Sequence, residues 1–259
     1  YPNLQRLAEI TPDVVKDFIM RCKREPLRGD KPLSESGVNQ YLIALQGIFA
    51  TAIKEGWYTG EIPVKVTWQQ KRDKVAKYLS KDEVERLLKH AREIDATTYL
   101  FIAIAVHTGM RKDEVANLRW EDLDFERKVI TLQARKADPT RGIQEFQLKS
   151  RKTRTIPLKT ALAEILAPLR QEEGYLIQSK SGREVKRNRW NIPSQFGEVQ
   201  KLAKVKCHPH MLRHACGFKL ANDGQDTRAL QHYLGHKNIQ HTVRYTELSP
   251  ERFRDFWKD

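Results

Sequence analysis

Between Ile62 and Tyr78 the apolar residues follow no period, and that gap limits what the chain can fold into. Pro63 interrupts the backbone there, while Lys65, Lys71, Arg72, Lys74 and Lys77 crowd the segment with positive charge. Helical apolar patterns lie on both sides of it. The sequence therefore predicts a small domain over 1–61, a basic linker over 62–78 and a larger domain over 79–259. Such a linker can serve as a solvated tether or as a strap held by nucleic-acid phosphates.

Local signals fill in the two domains. Thr11 and Pro12 read as an N-cap and a first helical proline, followed by an apolar stripe of Val14, Val15, Phe18, Ile19 and Cys22. A second helix is expected from near Ser34, with Val38, Tyr41, Leu42, Leu45, Ile48, Phe49, Ala52 and Ile53 facing inward and Gly56 as its stop. Ser80 and Glu83 form a capping box that opens the larger domain, with helices over about 81–93 and 97–106. The period then becomes two. Segments 128–133, 145–149 and 153–158 predict three short antiparallel strands, with turn residues Pro139 to Gly142 between the first two. After Thr160 the pattern is helical again. The expected fold is mainly α with a small antiparallel β-sheet.

Lys and Arg outnumber Asp and Glu by 47 to 33, a formal charge of +14 with a pI near 9.7. Such a field attracts polyanions, either nucleic acid or an anionic membrane. No apolar run reaches the roughly 20 residues of a spanning helix, and residues 1–24 lack a signal-peptide pattern, which favours nucleic acid and a cytoplasmic, nucleoid-associated setting. Three cysteines, Cys22, Cys207 and Cys216, cannot all pair and suit a reducing compartment. The chain starts at Tyr1 rather than Met, compatible with a fragment that lacks an N-terminal portion.

Three stretches concentrate the chemistry: one from His107 to Trp120 with Arg111 and Glu114, one from His208 to His214 with His210 and Arg213, and one from Leu234 through His236 and Thr242 to Tyr245. A guanidinium is a rigid fork that matches phosphate oxygens two at a time. Two of them can neutralise charge building in a five-coordinate phosphorus transition state. A tyrosine with a pKa of roughly 10 needs a neighbouring histidine to take up its proton as it attacks. His210 and Arg213, three apart at a helix start, share one face. No carboxylate cluster of metal-ligand type accompanies them.

These stretches resemble the tyrosine recombinase (phage-integrase) family, whose boxes read roughly T-G-x-R-x-x-E, H-x-x-R-H and L-G-H with a tyrosine nine residues on. His236 and Tyr245 are nine positions apart here, and Thr242 stands where the family has its threonine. The likeness runs from about Val14 to Tyr245, and 208–245 is most similar to recombinases that invert fimbrial switches. It implies a helical core-binding domain and a mixed catalytic domain forming a C-shaped clamp on double-stranded DNA. It also implies a reaction without metal, cofactor or ATP. Tyr245 would attack a phosphate to give a 3′-phosphotyrosine. Arg111 and Arg213 would grip its oxygens, His210 would accept the tyrosine proton, His236 would donate to the phosphate, and Glu114 would orient an arginine. A hairpin lysine would protonate the leaving 5′-oxygen. Lys149, eight residues before Pro157, fits best, with Lys152 second and Lys136 third.

The long segment 134–144 departs from the family pattern, and its Arg135 and Lys136, like the linker cations, are candidate DNA contacts. The family also implies a homo-oligomer, a tetramer on synapsed DNA, docked through a C-terminal tail. The tail here carries Phe253, Phe256 and Trp257, which suit packing on its own domain equally well. Cys207, His208, His210 and His214 lack the second ligand pair of a structural zinc site. Two further readings stay open on sequence alone: type IB topoisomerase-like activity, and an architectural DNA-binding protein without catalysis.

Overall fold

A computed structural model of the chain describes residues 5–26, 31–64, 78–178 and 193–247. The chain divides into two compact units, Tyr1–Lys74 and Val75–Asp259. The linker cations Lys65, Lys71, Arg72, Lys74 and Lys77, and the tail residues Phe253, Phe256 and Trp257, lie outside the described residues.

The first unit is helical. Helix α1, Pro12–Arg24, starts where the Thr11 hydroxyl accepts the Val14 amide, and α2, Glu35–Lys54, where Ser34 accepts that of Gly37. Val15, Cys22, Val38 and Leu42 form the core together with Val64. Ile62 also packs there, so the first residues assigned to the linker belong to this core. Helix α2 behaves differently from its pattern. Val38, Leu42, Phe49 and Ala52 are buried, but Tyr41, Ile48 and Ile53 are exposed. The helix is apolar around more of its circumference than α1 and the 58–64 segment cover.

The second unit is built around α4, Ala96–Thr108. Phe101, Ile102, Ala103, Ile104 and Ala105 are all buried, so this helix has no polar face and must be central. Helix α3, Lys81–Ile94, opens on the expected capping box and packs against α4. The short α5, Lys112–Ala116, follows. Three strands come next: β1 Leu123–Asp124, β2 Val129–Leu132 and β3 Arg154–Pro157. The remaining helices are α6 Thr160–Leu166, α7 Phe196–Ala203, α8 Pro209–Asn222, α9 Thr227–Leu234 and α10 Gln240–Glu247.

The sheet has the expected size and sense, with segments 128–133 and 153–158 supplying β2 and β3 as expected, but its third strand is β1 rather than 145–149. Its order is β1-β2-β3, antiparallel throughout, with Leu123 opposite Ile130 and Ile130 opposite Ile156. Segment 145–149, expected to be the middle strand, is not in this sheet. Residues 143–146 fold back on 135–138 through two isolated bridges, Arg135 with Phe146 and Asp138 with Ile143. Phe146 and Leu148 drop into the main core, which accounts for the alternation that suggested a strand. Among the described residues, no helix is long and apolar enough to cross a membrane.

Candidate active site

Two helices end at positions that only glycine adopts readily. Helix α4 stops at Gly109 (φ +63°) and α9 at Gly235 (φ +67°), both left-handed. Each turn presents carbonyls to an arginine. Arg213, on α8 and 1% exposed, donates to Gly109 O at 2.7 Å and to Leu234 O at 2.7 Å. Arg111, just before α5, donates to Gly235 O at 3.0 Å. The two guanidiniums thus grip consecutive carbonyls, Leu234 and Gly235, from opposite sides of the chain order. They are close enough to repel. Burial and then Arg111 pull the Arg213 guanidinium down to about 10. Two adjacent cations in a dry setting make a site suited to an anion with several oxygens.

Glu114 organises Arg111. Its carboxylate accepts the Arg111 amide at 2.8 Å and the Arg111 side chain at 2.9 Å. It also receives both terminal nitrogens of Arg154, at 3.0 and 2.7 Å. Burial alone would raise this carboxyl, but Arg154 and then Arg111 outweigh it and hold it at about 2.

His236 follows Gly235 directly. Its Nδ1 lies 2.8 Å from the buried Thr242 hydroxyl, so α10 fixes the ring that α9 delivers. Three residues beyond Thr242 comes Tyr245, fully buried and nearly parallel to the His236 ring at 6.1 Å between centroids. Its hydroxyl is 2.8 Å from Nδ1 of His214. Burial, then the neighbouring His210, lowers His214 to about 3, so the ring is neutral and shares a hydrogen bond with the phenol. His236 is also lowered to about 3, by burial and then by Arg213. The phenol itself is raised, because burial exceeds the opposing effect of Arg213 and Arg244.

The family resemblance implies His210 as the partner of Tyr245, whereas in the structure the hydroxyl meets His214. His210 lies one turn nearer the start of α8, exposed, with its ring 4.5 Å from that of His214. Tyr245 reaches past it because Gly217 leaves room on α8. A Cβ at that position would stand 2.8 Å from the Tyr245 ring. Gly217→Ala is therefore expected to push Tyr245 from its seat and lower the unfolding free energy by about 1–3 kcal/mol. Urea titration beside the wild type measures the loss, and an unchanged midpoint would mean that the ring moves aside without cost.

The other expected residues are placed as follows. Lys149 and Lys152 are both exposed and flank a turn at Arg151 (φ +56°) that leads into β3. Lys136 is exposed, whereas Arg135 is mostly buried and engaged with Asp122 and the Asn117 carbonyl, at 3.2 Å for the latter. Its charge is internally matched rather than displayed. Among the described residues, no three His, Cys, Asp or Glu side chains are grouped to hold a metal ion. Two residues of the constellation were missed in the sequence, His214 and Arg154. Arg154 was within reach, since period two places it on the same face as the buried Ile156.

The two half-buried neutral histidines, His214 and His236, have an acid consequence. Each has a folded pKa below its usual value, so the unfolded chain binds more protons as the pH falls below about 6.5. The thermal midpoint is expected to be lower at pH 5 than at pH 7.5, and less so in His214→Gln. Equal midpoints at both pH values would contradict the neutral-ring assignment.

Known proteins resemble this chain in sequence and in fold. The chain is 34% identical over 190 residues to the type 1 fimbriae regulatory protein FimB of Escherichia coli (strain K12), covering 71% of this chain and 91% of that protein. It is 31% identical over 194 residues to FimE of the same strain, covering 70% and 91%. In structure it resembles the XerH site-specific recombinase bound to palindromic difH substrate in a post-cleavage complex. That match has a TM-score of 0.72 at 21% identity, and covers 98% of this chain and 74% of that one. The sequence model of the phage integrase family matches residues 77–252. That match spans more than half of the chain and contains both arginines, the histidines and Tyr245, so the chain belongs to the phage integrase family, the tyrosine recombinases.

Proposed function

We propose that this chain is a site-specific recombinase that cuts and rejoins DNA through a 3′-phosphotyrosine on Tyr245. The observation that carries this reading is the convergence of Arg111 and Arg213 on the consecutive carbonyls of Leu234 and Gly235, beside His236. A scissile phosphate there meets two guanidinium forks, and both gain most as its charge grows toward the five-coordinate state. The Tyr245 oxygen bonds to phosphorus as the bond from phosphorus to the 5′-oxygen breaks. The phenol proton passes into the His214–His210 pair. His236 donates to a phosphate oxygen, and Lys149, with Lys152 as the alternative, gives a proton to the departing 5′-oxygen. A 5′-hydroxyl from a second strand reverses these steps and joins new partners, so the phosphodiester energy is kept without ATP.

In this reading the first unit serves as a core DNA-binding domain. The cations of 65–77, with Lys136, contact duplex phosphates, so binding weakens steeply with salt. Two synapsed sites call for four protomers, joined through the C-terminal tail. The setting is the cytoplasm, at the nucleoid. The test supplies two duplexes carrying the native site, without metal or ATP, and looks for molecules that have exchanged arms. Exchanged products support the proposal. Relaxation of supercoils without exchange would instead mean a topoisomerase, and binding alone an architectural protein.

A further inference from the structure

The geometry points to Arg154 as a positioning residue of the site, acting through Glu114 on Arg111 and through Gly235 on the His236 turn; this inference rests on the recombinase reading above. Arg154 is the first residue of β3, opposite Leu132, and its side chain is 9% exposed. A guanidinium is costly to bury, and a strand residue at this place needs none for packing. Its two terminal nitrogens meet the two Glu114 oxygens fork to fork, the pairing with the most directional constraint.

Glu114 carries Arg111 on the same carboxylate. Arg154 therefore fixes the plane of Glu114, and Glu114 fixes both the backbone and the side chain of Arg111. With Arg154 present, one carboxylate faces two guanidiniums, which leaves Arg111 charge unspent for a phosphate. Without it, Glu114 would pair with Arg111 alone and neutralise it. Arg154 also lies beneath the turn that bears His236. A Cβ on Gly235 would come within 3.0 Å of its Nη1 and 3.1 Å of its Cζ, so the guanidinium forms the floor of that turn. The Arg154 Nε is buried with no hydrogen-bond partner among the described residues, a cost that a residue kept only for packing would not carry. Through β3 the same residue sits two positions from Lys152 and five from Lys149. It ties the candidate lysine turn to the arginine and the histidine.

The test compares wild type, Arg154→Met and Arg154→Lys on a nicked duplex carrying the native site. Single-turnover formation of the covalent product at saturating protein is measured with the DNA dissociation constant, at a temperature where circular dichroism shows each protein folded. The expected result is a cleavage rate reduced about 30-fold or more in Arg154→Met, with DNA affinity within about threefold. Arg154→Lys, which keeps the charge but loses the fork, should recover part of the rate. Wild-type cleavage with an unchanged rate in folded Arg154→Met would overturn the inference and leave the recombinase reading standing. Equal losses of rate and affinity would also overturn it, since that marks a DNA contact. Absence of wild-type product would instead strike the recombinase reading itself.

Discussion

Replacing Glu114 with alanine is expected to destabilise the second unit by about 3–5 kcal/mol, because it strands two guanidiniums that now share one buried carboxylate. Against a total stability of about 5–15 kcal/mol, that leaves a protein close to unfolding. The same carboxylate predicts acid sensitivity. Its folded pKa is about 2 against a usual 4.5, so the stabilisation is complete above about 4.5 and lost as the pH falls through about 2. A drop of that size corresponds to about 3 kcal/mol at neutral pH. Urea unfolding of wild type and Glu114→Gln at pH 7 and pH 3 measures both effects. The glutamine variant should be the less stable at pH 7, and the gap should narrow at pH 3. A gap that is the same at both values would mean that the charge of Glu114 contributes nothing.

The second large effect is on chemistry. Arg213→Lys keeps one positive charge but cannot bridge the Gly109 and Leu234 carbonyls while facing a phosphate. Cleavage of a nicked duplex is expected to slow by about 10²–10³-fold, the cost of removing a preorganised donor set. DNA affinity should change little, because most of it comes from other phosphates. Cleavage within a few-fold of wild type would remove Arg213 from the phosphate-binding pair.

The contrast between these residues and the rest shows where a sequence is legible. Caps at Thr11, Ser34 and Ser80 are local hydrogen bonds among neighbours three residues apart, and the sequence states them outright. Arg111, Arg213, His236 and Tyr245 were legible for another reason, their order and spacing in a familiar set of boxes. What joins them was not. The bond from Arg111 to Gly235 crosses 124 positions, and that from Arg154 to Glu114 crosses 40. Tyr245 meets His214 rather than His210 because α10 lies against the small residue Gly217, a packing fact no helical spacing reveals. Segment 145–149 has the alternation of a strand, but its Phe146 bridges to Arg135, and β2 pairs with β3 instead. On α2, apolar residues such as Ile48 and Ile53 looked like core and are exposed, since amphipathic pattern counts apolar positions and not the partners available to cover them.

The central claim is that Tyr245 becomes covalently joined to DNA. The most direct measurement traps the reaction on a nicked duplex carrying the native site, digests the protein and maps the modified peptide by mass spectrometry. The account predicts a nucleotide attached through its 3′-phosphate to Tyr245, and no adduct in Tyr245→Phe, which should still bind DNA. An adduct on any other residue, or one that persists in Tyr245→Phe, would contradict it.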